Sequence, residues 1–148
     1  MPPARLCFDG LVTEDDRSAV EAPPQVGRRA RLERILDRDG PTCVWCRRTV
    51  GAGLVEATTE HVIPRVKGGP SWLENEVAAC HRCNARRGHR SPAEWAERCV
   101  EQGWEPDRER LIRVLDDLVD RIAAVGGQRR ARPYLAAQLR RLRRTVER

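Results

Sequence analysis

Lysine is nearly missing from this chain: Lys67 is its one lysine, and the rest of its 28 basic residues are arginine. Positive charge is therefore carried by a planar group that forks onto phosphate oxygens better than an ammonium does. No apolar run reaches the length of a membrane span. The Met-Pro-Pro start also lacks the charged segment followed by an apolar one that marks a secretory leader. Membrane-spanning and secreted classes are thus set aside, and the cytoplasm is the expected compartment. No internal repeat and no low-complexity tract is found, which leaves out solenoid and fibrous architectures.

What is present is one ordinary soluble composition with a basic tilt. The 148 residues suffice for one domain with a real core, or a small core with appended helices. Basic residues outnumber acidic ones 28 to 22, a formal charge of +6. That balance suits a polyanionic partner, although net charge biases encounter rather than specifying it. Four of the six cysteines form two C-x-x-C pairs, Cys43/Cys46 and Cys80/Cys83. In a reducing compartment two such pairs read as one four-thiolate zinc site rather than as disulfides. Cys7 and Cys99 stand alone and read as small, partly buried apolar residues.

Along the chain, residues 1–27 read as an extension whose 13–25 portion is a solvated linker, with Leu6, Phe8, Leu11 and Val12 as a short docking strand. Leu32, Ile35 and Leu36 recur at helical spacing over 28–37, and Asp39-Gly40-Pro41 stops that helix. A β-branched run predicts a strand over 54–62, a glycine turn at 67–70, and a returning strand over 75–79. Cys80 opens a turn into a short helix from about Arg82. Ser91-Pro92-Ala93-Glu94 is a capping box, so a helix begins there and ends by Gly103, carrying Trp95, Cys99 and Val100 on one side.

Beyond residue 105 two more helices are predicted. Leu111, Leu115, Leu118, Val119 and Ile122 form one apolar stripe, opposite Glu109, Asp116, Asp117 and Asp120. After Gly126-Gly127 a last helix from about Pro133 has Leu135, Leu139, Leu142 and Val146 as its stripe. Its outer face is Arg140, Arg141, Arg143, Arg144 and Arg148. The expected organisation is an extension at 1–27, a central domain at 28–104, and a helical hairpin at 105–148, packed on or appended to it.

One stretch concentrates the chemistry: Glu60-His61-Val62-Ile63-Pro64, then Gly68-Gly69, Asn75, Cys80-x-x-Cys83-Asn84, and Arg87-Gly88. With the upstream cysteine pair, it resembles the HNH endonucleases, which have a ββα-metal fold and a structural zinc. The resemblance covers residues 43–88 and says nothing specific about either end. It implies an α+β fold: a ββα-metal centre with a Cys₄ zinc, flanked by an N-terminal helix and the C-terminal hairpin. It implies metal-dependent hydrolysis of phosphodiester bonds in DNA, with RNA an open alternative. Residue by residue, His61 falls at the general base, Glu60 and Asn84 at the ligands of a catalytic ion, and Asn75 at the asparagine that braces the loop behind the base. Glutamate replaces the commoner aspartate or histidine before the histidine. Oxygen donors at Glu60 and Asn84 favour Mg²⁺ or Mn²⁺.

Arg87 matches a basic position after the last ligand and is expected to reach a phosphate, with Arg65 and Lys67 flanking the loop. Arg140, Arg141 and Arg144 are further candidates for the DNA backbone; otherwise the hairpin is a surface for packing or for pairing two copies. His81 sits inside a C-x-x-C pair that four thiolates already complete, and His89 reads as an exposed histidine. The alternative reading is a zinc-stapled nucleic-acid-binding module without turnover. A third is a scaffold whose hairpin binds another protein.

Overall fold

The computed structural model describes residues 26–51, 53 and 55–147. The expectations for the extension before Val26, including Cys7 and the docking strand, and for Arg148 lie outside the described residues. Helix α1 (Arg28–Asp39) is followed by a knuckle, the return closed by the Thr42–Thr49 bridge, then by strand β1 (Ala57–His61) and strand β2 (Glu76–Cys80). Then come α2 (His81–Arg87), α3 (Pro92–Glu101), α4 (Arg108–Val125) and α5 (Ala131–Val146). The fold is α+β, with a ββα unit formed by β1, β2 and α2.

β1 and β2 pair antiparallel with Thr58 opposite Ala79, Glu60 opposite Val77, and His61 opposite Glu76. Because side chains alternate along a strand, this register sorts the hairpin into two faces. Thr59, His61, Glu76 and Ala78 lie on one face, and Thr58, Glu60, Val77 and Ala79 on the other. α1 covers the first: Arg28 donates to the Thr59 hydroxyl (3.1 Å) and Arg31 to the Glu76 carboxylate (2.7 Å). α2 and the knuckle cover the second, so β2 is buried along its whole length. β1 begins at Ala57, three residues later than the β-branched run suggested, because its partner β2 ends opposite it at Cys80, where α2 begins.

Local signals account for most helix ends. The Ser91 hydroxyl accepts from the Glu94 amide (3.1 Å) with Pro92 in the first turn, and Asp107 caps α4 by accepting from the Arg110 amide (3.0 Å). α5 starts at Ala131, which places Pro133 in the first turn, where no intrahelical donor is lost.

The hairpin α4–α5 shares one continuous core with the ββα unit. Leu111, Val114, Leu115, Leu118 and Ile122 from α4 and Leu135, Leu139 and Leu142 from α5 are buried in it. Val119 and Val146, expected in the stripes, are exposed, as is Val100 on α3; each stripe is narrower than a simple 100° count predicted. α4 is fastened to the knuckle by polar contacts as well. The Asp107 amide donates to the Val44 carbonyl (2.7 Å), and Arg110 donates to the Thr42 carbonyl and hydroxyl (3.0 and 2.8 Å). No helix among the described residues is long and apolar enough to cross a membrane.

Candidate active site and metal centre

The knuckle is built by a tight return between Thr42 and Thr49, closed by an antiparallel bridge and by the Cys43 amide donating to the Arg48 carbonyl (2.8 Å). It presents Cys43 and Cys46 to Cys80, at the end of β2, and Cys83, in the first turn of α2. The four sulfurs lie within 4.8 Å of one another, and none of the four is in a disulfide. A tetrahedral zinc with bonds near 2.3 Å separates its sulfurs by about 3.8 Å; Cys46 and Cys80 are 3.9 Å apart. A hydrogen bond from the Cys83 thiol pulls Cys43 down to about 5, against burial. This donor set fits zinc. His81 is exposed and outside the cluster, and His89 is exposed. Cys99, buried in the core, is pushed up to about 12 by burial.

The segment from His61 to Ile63 is gripped from two sides. From α2, Arg87 donates to the His61 and Val62 carbonyls (2.9 and 2.6 Å). From the other side Asn75, fully buried, accepts from the Ile63 amide (2.9 Å) and donates to the Ile63 and Pro70 carbonyls (3.0 and 2.9 Å). Gly69 is required by this grip: a Cβ there would lie 1.8 Å from the Ile63 carbonyl oxygen. Gly68 takes a positive φ of 86°, which closes the 3₁₀ turn Arg65–Lys67.

His61 is therefore held at the end of β1 with its ring half-buried. Its Nε2 lies 3.0 Å from the Ser71 hydroxyl and 3.4 Å from Glu76 Oε1. Burial pushes its pKa below 6.5, assisted by Arg65, Arg31 and Arg28 and opposed by Glu76. The neutral ring, the form that accepts a proton, is thus favoured at neutral pH.

Glu60 points to the opposite face and is buried. One oxygen accepts from Arg87 (2.6 Å) and the other from the Trp45 indole. Burial raises its pKa, while the Arg87 guanidinium and the Trp45 indole oppose the rise. Asn84 donates its amide to the Thr58 hydroxyl (3.0 Å) and the Thr59 carbonyl (3.3 Å). Since a carbonyl only accepts, the NH₂ faces the strand and the Asn84 side-chain oxygen is turned away from it.

Two expectations do not match this geometry. Arg87 does not face solvent: its side chain is 1% exposed, and Glu60, His61, Val62 and Arg90 take up its donors. A guanidinium so enclosed cannot meet a phosphate, because that would leave the Glu60 charge buried and unpaired. A divalent ion shared by Glu60 and Asn84 does not fit this arrangement either. Both Glu60 oxygens already accept from buried donors, and a fixed positive charge occupies the place beside the carboxylate. The Asn84 oxygen alone is open.

The basic candidates separate by environment. Arg65 and Lys67 are exposed, next to the clamped segment. The turn before α5 packs on them: Arg130 reaches the Val66 carbonyl (3.4 Å), and Lys67 lies over the Tyr134 ring at 5.6 Å. Arg130 thereby joins Arg65 and Lys67 on one surface, a grouping that sequence reasoning missed. Its signal was the Arg129-Arg130 pair one residue after Gly126-Gly127. On α5, Arg141 faces Glu97 (3.4 Å) and Arg143 pairs with Asp116. Arg140 and Arg144 are exposed and make no ion pair among the described residues. Glu76, Ser71 and Trp45 also escaped sequence reasoning. A register drawn back from the glycine turn would have put Glu76 opposite His61.

With the ββα unit and the four-thiol cluster in view, residues 43–99 match the family model described as HNH endonuclease. Over that segment the chain is similar to the HNH endonucleases. It is similar to the CRISPR-associated endonuclease Cas9 of Corynebacterium diphtheriae, 34% identical over 80 residues. That likeness takes in 51% of this chain but 7% of the relative, so the chain spans a small fraction of the protein it matches. No solved structure matches it.

Proposed function

We propose that this chain is a nuclease that hydrolyses phosphodiester bonds in DNA, with His61 as the general base. The observation that carries this reading is the clamped segment: a partly exposed imidazole, its pKa lowered by burial, whose backbone neighbours are fixed from both sides by Arg87 and Asn75. A positioned base near its working pH contributes roughly 10²–10⁴-fold to proton transfer. His61 would take a proton from water as the water oxygen bonds to phosphorus and the bond to the 3′ oxygen breaks. Arg65, Lys67 and Arg130 form the adjacent surface for the phosphate backbone, where guanidinium and ammonium charge offsets the phosphate charge. Zinc at Cys43, Cys46, Cys80 and Cys83 would be structural, since a closed four-thiolate tetrahedron has no position for water or substrate.

The family resemblance implies Mg²⁺ or Mn²⁺ as the catalytic ion, a role for which Glu60 and Asn84 are not arranged. That closure favours a second reading, a zinc-stapled module that binds nucleic acid without turnover. Supercoiled plasmid and labelled RNA, each incubated with the purified chain with and without Mg²⁺ or Mn²⁺, separate the two. Nicking or linearisation of plasmid that His61→Ala abolishes, with DNA affinity unchanged, is the expected result. Cleavage by His61→Ala at the parent rate would refute the assignment. Binding without cleavage under every condition would leave the binding module.

A further inference from the structure

Glu76 is an acid placed where an apolar residue would be expected. It opens β2, is fully buried, and sits directly across the ladder from His61. Burying a carboxylate is costly unless its oxygens are partnered. Arg31 of α1 holds Oε2 at 2.7 Å, and Arg31 is itself anchored on the Val26 carbonyl (2.6 Å). Among the described residues the other oxygen, Oε1, is buried with no hydrogen bond, and the His61 Nε2 at 3.4 Å is the one group that approaches it as an ion-pair partner. An ionised carboxylate accepts and cannot donate. The nitrogen facing it is therefore the one that carries the proton, and Ser71, whose hydroxyl rotates to suit, is compatible with that choice (3.0 Å).

We propose that Glu76, held by Arg31, is the positioning residue of His61: it keeps the proton on Nε2 and leaves Nδ1 bare as the proton acceptor. This inference rests on His61 being the base, and it adds a three-residue relay of position, Arg31–Glu76–His61, that reaches the ring from the face opposite Glu60. Arg87 and Asn75 fix the backbone of the segment; Glu76 fixes which ring nitrogen is basic. A base in the wrong tautomer keeps its place and loses its lone pair, so the effect should fall on the chemical step and not on binding.

Glu76→Gln is the discriminating change. Arg31 would take the amide oxygen, leaving the NH₂ to face His61 Nε2. That nitrogen must then accept, which moves the ring proton to Nδ1. Long-range proton–nitrogen correlation spectra read the tautomer directly, and the chain has three histidines, His61, His81 and His89, to assign. Above the usual imidazole range, the parent should show the Nε2–H form at His61 and Glu76→Gln the Nδ1–H form. Plasmid cleavage by the variant should drop roughly 100-fold or more in kcat with KM within about threefold. Ser71→Ala should keep the Nε2–H form. An Nδ1–H ring in the parent, or Glu76→Gln with an unchanged tautomer or the parent rate, overturns the proposal. Should Glu76→Gln not fold, the tautomer of the parent decides alone. A failure of the base assignment is read separately, from cleavage by His61→Ala, and leaves the spectroscopic result standing.

Discussion

The Glu60–Arg87 pair can be tested through the stability it confers. Their side chains are 4% and 1% exposed, and the contact is 2.6 Å, so solvent screening does little to weaken it. Removing one partner of a buried pair leaves an uncompensated charge and typically costs about 3–5 kcal/mol. Arg87→Met, which keeps the apolar stem, should destabilise the protein by that much. It also frees the His61 and Val62 carbonyls, which adds to the effect. Against a total stability of roughly 5–15 kcal/mol, this removes about a fifth or more. The midpoint of thermal unfolding should fall by on the order of 10 °C. The double variant Glu60→Leu with Arg87→Met should recover much of that stability, since replacing both charges by apolar groups of similar size is often neutral. Urea titrations of the parent, both single variants and the double variant, all zinc-loaded, give the coupling energy directly. If Arg87→Met lies within about 0.5 kcal/mol of the parent, the pair does not close in solution, and Glu60 is free to hold an ion after all.

Zinc is expected at one per chain, and a chelator should unfold the knuckle and the start of α2 together, because metal binding is part of the folding energy; a zinc-free protein with an unchanged circular dichroism spectrum would refute this. Cleavage should decline with acid at an inflection below 6.5, because the lowered pKa keeps His61 neutral to lower pH than a free imidazole; an inflection above that value would contradict the burial argument. Replacing Arg65, Lys67 and Arg130 with glutamine should weaken DNA binding across all sequences and lower the salt slope by about 0.9 for every phosphate that is no longer neutralised. The same change at Arg140 and Arg144 asks whether the outer face of α5 takes part, and an unchanged slope there assigns that face to solvent or to pairing of two copies.

Several features of this protein were legible before any coordinates. Two C-x-x-C pairs and their spacing identified the zinc-type site, since the ligand pattern is written within four residues at each end. Ser91-Pro92-Ala93-Glu94 announced α3 because a cap is satisfied by atoms three residues apart. The order strand, glycine turn, strand, Cys-x-x-Cys-Asn announced the ββα unit and the resemblance to HNH endonucleases.

The tertiary structure alone decided which chemistry-bearing groups meet. Arg87 looked like a phosphate ligand in sequence, yet α2 lays it against Glu60, 27 positions away, and buries both. Glu76 looked like an ordinary strand residue until the register set it opposite His61 and α1 brought Arg31 to its far oxygen. Arg130 belonged to an unassigned turn until the hairpin packed that turn on Val66. The division follows from range. Caps, strand alternation and ligand spacing are satisfied by neighbours along the chain. Whether a charged group ends as a buried partner or an exposed ligand depends on which face another element covers, and residues tens of positions away determine that.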